Sequence, residues 1–378
     1  MKRFHIDVPQ PVLDRIAAKL TDCRIGYMPD DADQWKYGMD ARYLADLVAY
    51  WRDGYDWRAE EEKLNRWPQF MAEVEGIPIH FYHIHGRGDR PIPILLTHGW
   101  PGSVVEFQEV IPILTEAGFS LVVPSLPGFG WSGKPRLPIG PATVARMWRA
   151  LMVDLLGYPR FFAQGGDFGS AVTTQLGISH ADVVAAIHLN FFMAPLPGPE
   201  ADADLLAYWG EVRTLMEAES GYHHEHATKP QTIGLALHDN PVGWAAWVVE
   251  KFQGWGDTGG VIESRFSKDH LITNLMSYLA TDSIQSSIWM YYATNHEPRA
   301  TGPVIVPTAL ARFPGEFYPM PSRALAGRNY DVRRWTEMPS GGHFAAMEEP
   351  EAFARDLIAF FGDSEWNQSF YRKNLPAA

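Results

Sequence analysis

The pattern of apolar and polar residues divides the chain into segments of different character. Over the first eighty or so residues, apolar side chains recur at helical spacing, as at Val12, Ile16 and Leu20. Residues 76–84 then alternate between apolar and polar in the manner of a strand. We therefore predict a helical meander over residues 1–89 that packs against the rest of the protein.

A repeated order of strand, loop and helix begins near residue 90. Short apolar runs at residues 92–97, 119–124 and 160–164 each lead into a loop rich in glycine or proline. Fully apolar strands separated by helices indicate a parallel sheet that is covered on both faces. The loops after such strands are where binding and catalytic sites form. Residues 90–194 are thus predicted to be the first part of a catalytic domain.

A long helical insertion interrupts this order. Residues 195–297 are rich in Trp, Tyr and Met and show helical periodicity, which predicts a lid. Strand-like segments resume at residues 304–309 and 331–335, and the chain closes with a helix that Pro350 opens. Residues 298–378 are therefore predicted to complete the catalytic domain.

Composition narrows the class of protein. The net charge is −13 and there is no run of Lys and Arg, which argues against nucleic acid or an anionic membrane surface as a partner. The single cysteine, Cys23, excludes an intramolecular disulfide and a thiolate metal site. No apolar stretch resembles a signal peptide or a membrane span. We expect a cytoplasmic enzyme with no membrane partner, and a homodimer remains an open alternative.

The chemistry centres on the motif Gly165-x-Asp167-x-Gly169. This motif has the form of a nucleophile elbow between a strand and a helix, where the flanking residues must be small because the turn is tight. A carboxylate that attacks an sp3 carbon forms an ester, which water can hydrolyse, whereas a serine would form a stable ether. An isolated motif of this length is more often a helix cap, since Asp is a favoured N-cap residue. The surrounding motifs favour the nucleophile.

Two further loops supply the groups that hydrolysis of such an ester requires. His98-Gly99-Trp100-Pro101 follows the first long parallel strand, and the backbone N–H groups of Trp100 and Phe168 could form an oxyanion hole. His343 lies in a glycine-rich loop after the last strand, where it could activate water as a general base. A lone histidine is usually structural, and it is the position after the last strand that singles out His343.

The acid that orients His343 should follow the preceding strand. Glu316 lies there, in the sequence Arg312-Phe313-Pro314-Gly315-Glu316. Asp331 begins the next strand and Asp282 lies in the lid, so both are less well placed. The order nucleophile, acid, histidine is the one expected when an elbow of this kind starts the series.

Longer segments carry a resemblance to a known family. Residues 50–58 and 64–70 in the N-terminal block, and residues 219–232 and 241–252 in the lid, are similar to the microsomal-type epoxide hydrolases. The resemblance extends over nearly the whole chain. It implies an α/β-hydrolase fold, a doubly wound and mostly parallel sheet with a helical lid and an N-terminal helical meander.

The resemblance also implies a mechanism. Asp167 would attack the epoxide to give an ester, which water activated by His343 and Glu316 would hydrolyse to a vicinal diol. In the family two lid tyrosines donate hydrogen bonds to the epoxide oxygen. Tyr222 matches the first, and placement before Ala-Thr-Asn favours Tyr292 over its neighbour Tyr291 for the second. The expected substrate is a small apolar epoxide, and no metal or organic cofactor is required.

Two other functions stay open at this point. A haloalkane or haloacid dehalogenase uses the same Asp–His pair, but often has a Trp directly after the nucleophile, where this chain has Phe168. A non-catalytic ligand receptor on the same fold is the second alternative, because a fold alone does not determine function. The receptor would have no need of nucleophile, base and acid together.

The lid contains a histidine cluster and several aromatic residues that require interpretation. His223-His224-Glu225-His226 could suggest a metal site, but neighbouring histidines on a helix point in different directions, so no metal is predicted. Aromatic residues near the predicted site are candidates for the substrate pocket, although they could equally be ordinary packing. These candidates are Trp244, Trp289, Tyr291 and Phe344.

Overall fold

The computed structural model describes residues 1–31, 35–88 and 91–362 of the chain. Within these residues, nine strands form one sheet. In chain order the strands are β1 Lys2–Phe4, β2 Gln69–Val74, β3 Ile77–Ile84, β4 Ile92–Thr97, β5 Phe119–Pro124, β6 Phe161–Gly165, β7 Val184–Leu189, β8 Val304–Arg312 and β9 Tyr330–Glu337. Their order across the sheet is β1-β2-β3-β5-β4-β6-β7-β8-β9. This arrangement and the parallel pairings described next are those of the predicted α/β-hydrolase fold.

The six strands from β4 to β9 are parallel, as the fully apolar runs predict. Every residue of β4 and β5 is buried, because helices cover the sheet on both faces. Along β4 the side chains alternate between the two faces: Leu95 packs into one apolar cluster, and Ile94 and Leu96 pack into the other. A continuous apolar strand is therefore required here, since neither face of the sheet meets water.

The N-terminal segment differs from the predicted helical meander. It contains the helices α1 Gln10–Thr21, α2 Ala41–Asp53 and α3 Trp57–Asn65, but it also contributes β1, β2 and β3. These three strands extend the sheet by antiparallel pairing, with β3 against β5. The first eighty residues are thus not all helical. The short edge strand β1 contains one apolar residue, Phe4, which is too little to predict a strand from the sequence.

The helices of the catalytic domain before the lid connect the parallel strands. They are α4 Val110–Glu116, α5 Pro141–Arg149 and α6 Asp167–Ser179. Strand β4 lies between β5 and β6, so the chain turns to opposite sides of β4 as the sheet is built. A crevice opens at such a reversal outside the carboxyl ends of the strands. The loops that follow β4 and β6 meet in this crevice.

Six helices lie between β7 and β8, in the segment where the sequence predicts the lid. They are α7 Ala203–Glu219, α8 Gly221–Thr228, α9 Pro230–His238, α10 Pro241–Trp255, α11 Lys268–Leu279 and α12 Ile284–His296. The N-terminal helices support the lid: the Tyr50 hydroxyl donates to Asp269, at 2.8 Å, and the Tyr55 hydroxyl lies 3.0 Å from that of Thr273. The N-terminal segment thereby holds α11 in place.

The end of the catalytic domain follows the lid. Its helices are α13 Arg323–Ala326, α14 Ala345–Glu348 and α15 Pro350–Phe361. Pro350 opens α15, and Phe353, Leu357 and Phe361 are buried, as predicted. Residues 363–378 of the predicted domain lie outside the described residues. None of the helices described is long and apolar enough to cross a bilayer.

Replacement of Gly169 by alanine should destabilise the fold. A Cβ at Gly169 would lie 1.9 Å from the Thr97 carbonyl oxygen, so the backbone of α6 and the end of β4 would have to separate. We expect a loss of about 1–3 kcal/mol in the free energy of unfolding, the range for overpacked cores. Urea unfolding followed by circular dichroism measures the loss.

Gly210→Ala is the matched control, because a Cβ at this position in α7 meets no atom within 4 Å. Alanine is the better helix former, so this variant should be more stable by up to about 1 kcal/mol. Equal stability of the Gly169→Ala variant and the wild type would contradict the close approach of α6 to β4.

Candidate active site

Asp167 occupies a strained turn between β6 and α6. Its backbone φ is 49°, in the left-handed region that non-glycine residues rarely adopt. The turn presses Asp167 against the loop after β4 so closely that a Cβ at Gly99 would lie 2.3 Å from the Asp167 side chain. Asp167 makes no capping hydrogen bond to α6, whose N-cap residue is Gly166. The geometry is therefore that of a nucleophile elbow and not that of a helix cap.

The two oxygens of the Asp167 carboxylate face different partners. The Trp100 backbone N–H donates to Oδ1 at 2.8 Å. Oδ2 lies 3.3 Å from Nε2 of His343. Phe168, the other predicted oxyanion residue, follows Asp167 in the first turn of α6, where backbone N–H groups have no partner within the helix. One oxygen is thus held by the predicted oxyanion loop and the other by the predicted base.

His343 and Glu316 form a close pair. His343 Nδ1 lies 3.0 Å from each carboxylate oxygen of Glu316, and both side chains are buried. With Nδ1 bonded to Glu316, Nε2 is the nitrogen directed at Asp167. Asp331 and Asp282 do not contact His343 and instead pair with Arg333 and Arg15. Of the three acids considered, the structure brings only Glu316 to the histidine.

The electrostatics of His343 reflect two opposing influences. Burial lowers the pKa of a histidine, because it penalises the charged form. The negative charges of Glu316 and Asp167, and the hydrogen bond to Glu316, outweigh burial and hold the pKa of His343 well above its usual value. Loss of the Asp167 charge would remove one of these contributions. The protonation of His343 therefore depends on the state of Asp167.

Backbone contacts join the loops that carry Glu316 and His343. Gly315 and Gly342 form a parallel bridge, and the His343 N–H donates to the Trp255 carbonyl at 3.1 Å. Glu348 accepts from the N–H groups of Phe344 and Asp257, at 2.9 and 2.8 Å. Sequence analysis did not identify Glu348, since a glutamate in a short helix has no distinctive motif. It fixes the histidine loop against the end of α10.

The loop after β4 is held by residues of the lid. The Asn274 side chain donates to the Pro101 carbonyl at 2.7 Å and accepts from the Ser103 hydroxyl at 2.8 Å. The Tyr278 hydroxyl donates to the Gly102 carbonyl. Both residues belong to α11, the helix that the N-terminal segment supports. Their role was not evident from sequence, where they lie in an ordinary apolar helix pattern.

His98 is a structural histidine in the same loop. The Leu126 N–H donates to its Nε2 at 3.1 Å, which leaves Nδ1 to donate to the Gly99 carbonyl at 2.9 Å. Burial lowers the pKa of His98 to about 4. It is therefore neutral at physiological pH and joins the loops after β4 and β5.

Tyr222 and Tyr291 are the two tyrosines that meet above Asp167. Their ring centroids are 5.9 Å apart, and both line the cavity next to Asp167. Burial raises the pKa of both phenols, and the Asp167 charge acts in the same direction. Both are therefore neutral hydrogen-bond donors at physiological pH.

The structure places Tyr291, and not the predicted second tyrosine Tyr292, in the lining of the cavity. The Tyr292 ring stacks on His296 at 3.9 Å between centroids and does not line the cavity. Successive residues on a helix point about 100° apart, so only one of two neighbouring tyrosines can face the site. The sequence pattern placed the pair on α12 but did not decide which of the two faces inward.

A large cavity of about 870 Å³ lies over Asp167. One face of α6, from Asp167 to Ile178, forms its floor, and lid residues form the opposite wall. At a rise of 1.5 Å per residue this floor is about 16 Å long. Large apolar residues in its wall include Phe191, Phe192, Met193, Leu196, Trp209 and Met216. Sequence analysis missed these six, although residues 191–196 directly follow β7.

Only one of the four predicted pocket residues, Tyr291, lines this cavity. Trp244 is buried behind it and packs against Tyr278, at 5.0 Å between ring centroids. Phe344 stacks on Phe252 at 4.0 Å. Trp289 also lies away from the cavity. Aromatic residues at helical spacing are here mostly packing residues, because the lid helices must bury their faces against each other.

The histidine cluster of the lid does not converge. His226 is fully buried and accepts from the Trp247 indole N–H at 3.0 Å, whereas His223 lines the large cavity. Among the described residues, no group of three or more His, Cys, Asp or Glu side chains is arranged to hold a metal ion. The two histidines thus have separate environments on α8.

Comparisons with known proteins agree with this geometry. Residues 1–107 match the family model described as the epoxide hydrolase N terminus, and residues 92–217 match the alpha/beta hydrolase fold. The chain is 40% identical to a putative epoxide hydrolase of Stigmatella aurantiaca (strain DW4/3-1), over 95% of this chain and 84% of that protein.

Two solved structures are similar over almost the whole chain. The juvenile hormone epoxide hydrolase of the silkworm Bombyx mori has 32% identity and a TM-score of 0.85, over 97% of this chain and 94% of that one. The epoxide hydrolase of Aspergillus niger has 30% identity and a TM-score of 0.85, over 96% of each chain. With the N-terminal domain, the catalytic domain and the lid all matched, the chain belongs to the epoxide hydrolase family.

Proposed function

We propose that this protein hydrolyses an epoxide to a vicinal diol through a covalent ester on Asp167. The observation that carries this proposal is the position of Asp167 between two sets of groups. A pair of neutral phenols, Tyr222 and Tyr291, lies on the cavity side, and the imidazole of His343 lies beside Oδ2. Opening an epoxide needs a nucleophile and a hydrogen-bond donor on opposite sides of one carbon–oxygen bond. This site provides both.

In the first step Oδ2 of Asp167 attacks a ring carbon. The carbon–oxygen bond of the ring breaks, and Tyr222 and Tyr291 donate hydrogen bonds to the departing oxygen. That oxygen gains its proton through the phenols, which regain theirs from solvent. The donors are fixed before reaction, so they stabilise developing charge without rearranging, which is the usual origin of a large electrostatic contribution.

In the second step water hydrolyses the ester. Asp167 is now neutral, so the pKa of His343 falls and its Nε2 can accept a proton from water. The former Oδ1 is the ester carbonyl oxygen, and it already receives the Trp100 N–H at 2.8 Å. The tetrahedral oxyanion that forms on this oxygen is stabilised by the Trp100 and Phe168 amides. Collapse of the intermediate releases the diol and restores the carboxylate.

The tyrosine pair favours an epoxide over a haloalkane. A departing halide is already a stable anion, whereas a departing alkoxide is strongly basic and needs a donor that can transfer a proton. The side chain after the nucleophile is Phe168, which has no N–H group to offer a halide and instead packs edge-on against Tyr291 at 4.7 Å. The two phenols thus match the requirements of an epoxide oxygen.

The size and lining of the cavity support an elongated apolar substrate. The floor along α6 extends about 16 Å from Asp167, and phenylalanine, methionine, leucine and tryptophan side chains dominate the wall. Burial of an apolar chain along such a wall stabilises the complex by about 25 cal/mol for each Å² removed from water. Several relatives are named juvenile hormone epoxide hydrolases. We therefore propose an extended apolar epoxide for this chain as well.

A single turnover in heavy-oxygen water tests the covalent route. With enzyme in excess over an aryl or long-chain alkyl epoxide, the label should enter the Asp167 carboxylate and not the diol, because hydrolysis breaks the bond between Cγ and the ester oxygen. Mass spectrometry of the peptide that contains Asp167 and of the diol measures both. A haloalkane of similar size serves as the control for the alternative reaction. Label in the diol after one turnover would exclude the ester.

The two neighbouring tyrosines of α12 provide a matched pair of variants. Tyr291→Phe should lower the rate of ester formation about ten- to a hundred-fold, since a hydrogen bond to a charged group contributes about 1.5–3 kcal/mol. Tyr292→Phe should leave the rate unchanged, because Tyr292 faces His296. Rapid-quench measurement of the ester gives both rates. The assignment fails if Tyr292→Phe is the slower variant.

The protonation of His343 predicts a pH dependence of the second step. Hydrolysis of the ester should accelerate with rising pH as His343 loses its proton. In Glu316→Gln one of the charges that raises the pKa of His343 is gone, so the rising limb should move to lower pH and the plateau should fall.

Glu337→Gln is the control, because this exposed carboxylate of β9 pairs with Arg312 and not with His343. The pH profile of the single-turnover rate of ester hydrolysis measures the shift. A profile that stays in place, or moves to higher pH, in Glu316→Gln would contradict the charge of Glu316 as the cause of the raised pKa.

A further inference from the structure

A second, much smaller cavity lies on the other side of Asp167. Its volume is about 20 Å³, which is room for one water molecule. Asp167 and His343 line both this chamber and the large apolar cavity. Asp167 and His343 therefore form the wall between an apolar space, large enough for a substrate, and a space of the size of one water that both polar and apolar side chains line.

The chamber contains buried polar atoms without partners. Thr97 Oγ1 and Gln164 Oε1 make no hydrogen bond to any described residue, and both side chains are almost fully buried. The Gln164 amide nitrogen is already used, because it donates to Asn190 at 2.8 Å. Leaving a buried polar atom unpaired costs about 1–3 kcal/mol, so such atoms normally bind ordered water. Their convergence beside His343 indicates a water site.

Glu106 contributes a carboxyl group to the same chamber. It lies in the short turn Val104–Phe107, just after the loop that carries Trp100. Its Oε1 packs onto Gly102 so closely that a Cβ on that glycine would lie 1.6 Å away. The carboxyl group of Glu106 therefore occupies the space that a side chain at position 102 would fill, which is why a glycine is required there. None of the steps described above uses this carboxyl group.

The environment of Glu106 favours its neutral form. Burial raises the pKa of Glu106 to about 8, and the Asp167 charge acts in the same direction, whereas His343 and the amides of Ser103 and Gly99 act against it. At neutral pH most of the carboxyl group is protonated. It can then donate one hydrogen bond through its O–H and accept others on its carbonyl oxygen.

We propose that this chamber holds the water that hydrolyses the ester, and that Glu106 positions that water against His343. The inference rests on the proposed function, since it assigns a place and a partner to the water of the second step. Epoxide and water then reach the Asp167 carboxyl group from different cavities. The apolar cavity need not admit water for the ester to be hydrolysed.

The geometry accounts for each hydrogen of the water molecule. One O–H donates to His343 Nε2, the other donates to an oxygen of Glu106 or Gln164, and a lone pair faces Cγ of Asp167. Its proton passes to His343 as its oxygen bonds to Cγ. The bond between Cγ and the ester oxygen then breaks, and the departing oxygen takes the proton from His343. The water oxygen stays on Asp167, whose new carboxyl group passes the second proton of the water to His343, so that the carboxylate and the protonated histidine are restored and no other reactant is needed.

Glu106 also lines a surface cavity of about 290 Å³ beside α3 and α11. It therefore stands between this cavity and the chamber. A water consumed in one turnover has a path of replacement along this side chain, away from the substrate.

Glu106→Ala should separate the two chemical steps. We expect ester formation to stay within about two-fold of the wild-type rate, because the variant leaves the substrate cavity unchanged. Hydrolysis of the ester should slow by about ten-fold or more, the loss expected for one positioning hydrogen bond. The ester should then accumulate in the steady state. Rapid quenching followed by mass measurement of the intact protein gives the fraction of ester and both rates.

Matched variants distinguish positioning from a structural role. Glu106→Gln keeps the shape and an acceptor oxygen and should restore most of the lost hydrolysis rate. Glu109→Ala removes a carboxylate that borders the surface cavity but not the chamber, and should change neither step. An equal loss in both steps, or no loss in hydrolysis, in Glu106→Ala would overturn the inference.

A crystal structure of the wild-type protein gives a test that needs no variant. A solvent oxygen should lie within hydrogen-bond distance of both Glu106 and His343, and its absence from a well-ordered chamber would also overturn the inference. The proposed function fails separately, if the wild-type protein forms no ester with any epoxide. An ester that forms normally and is hydrolysed equally fast without Glu106 would refute only the role of Glu106.

Discussion

The close contact between the Asp167 turn and the loop after β4 is the constraint on which the site depends. A left-handed backbone at a non-glycine residue costs about 1–3 kcal/mol and persists only where the surrounding structure enforces it. Here Gly169 lets the backbone of α6 approach that of Thr97, and Gly99 leaves room for the side chain of Asp167. The contact directs the Asp167 carboxylate towards the cavity and at the same time allows the Trp100 N–H to donate to its Oδ1. The nucleophile and its oxyanion donor are therefore positioned together.

In the proposed mechanism, charge in the site is balanced so that each step prepares the next. Two carboxylates flank one imidazole, which favours the protonated histidine while Asp167 is an anion. Formation of the proposed ester would remove one negative charge and so lower the affinity of His343 for its proton. The proposed base would thus become available when the ester exists. Glu106 responds to the same charge, because the Asp167 anion raises its pKa and a neutral ester does not.

The N-terminal segment takes part in this architecture through the lid. Tyr50 and Tyr55 bond to α11, and Asn274 of α11 bonds to both Pro101 and Ser103. A continuous series of contacts therefore connects the first helices with the oxyanion loop. Helix α3 of the same segment lies beside the surface cavity that Glu106 borders. Through α11 the N-terminal segment stabilises the loop after β4 without lining the large cavity over Asp167.

Local sequence patterns predicted the parallel sheet and the three central residues of the site. The elbow and the apolar strands are contiguous motifs, and the order of the three residues along the chain can be read directly from the sequence. Asp167, His343, Glu316 and the parallel sheet were predicted in this way, and the structure brings these three side chains together. The choice between Tyr291 and Tyr292 depends on how α12 is rotated about its axis, because neighbouring residues on a helix point about 100° apart. The lining of the cavity and the position of Glu106 depend on contacts between segments that are distant in sequence. Only the tertiary structure decides these two features, since the local sequence does not show which faces of distant helices and loops come into contact.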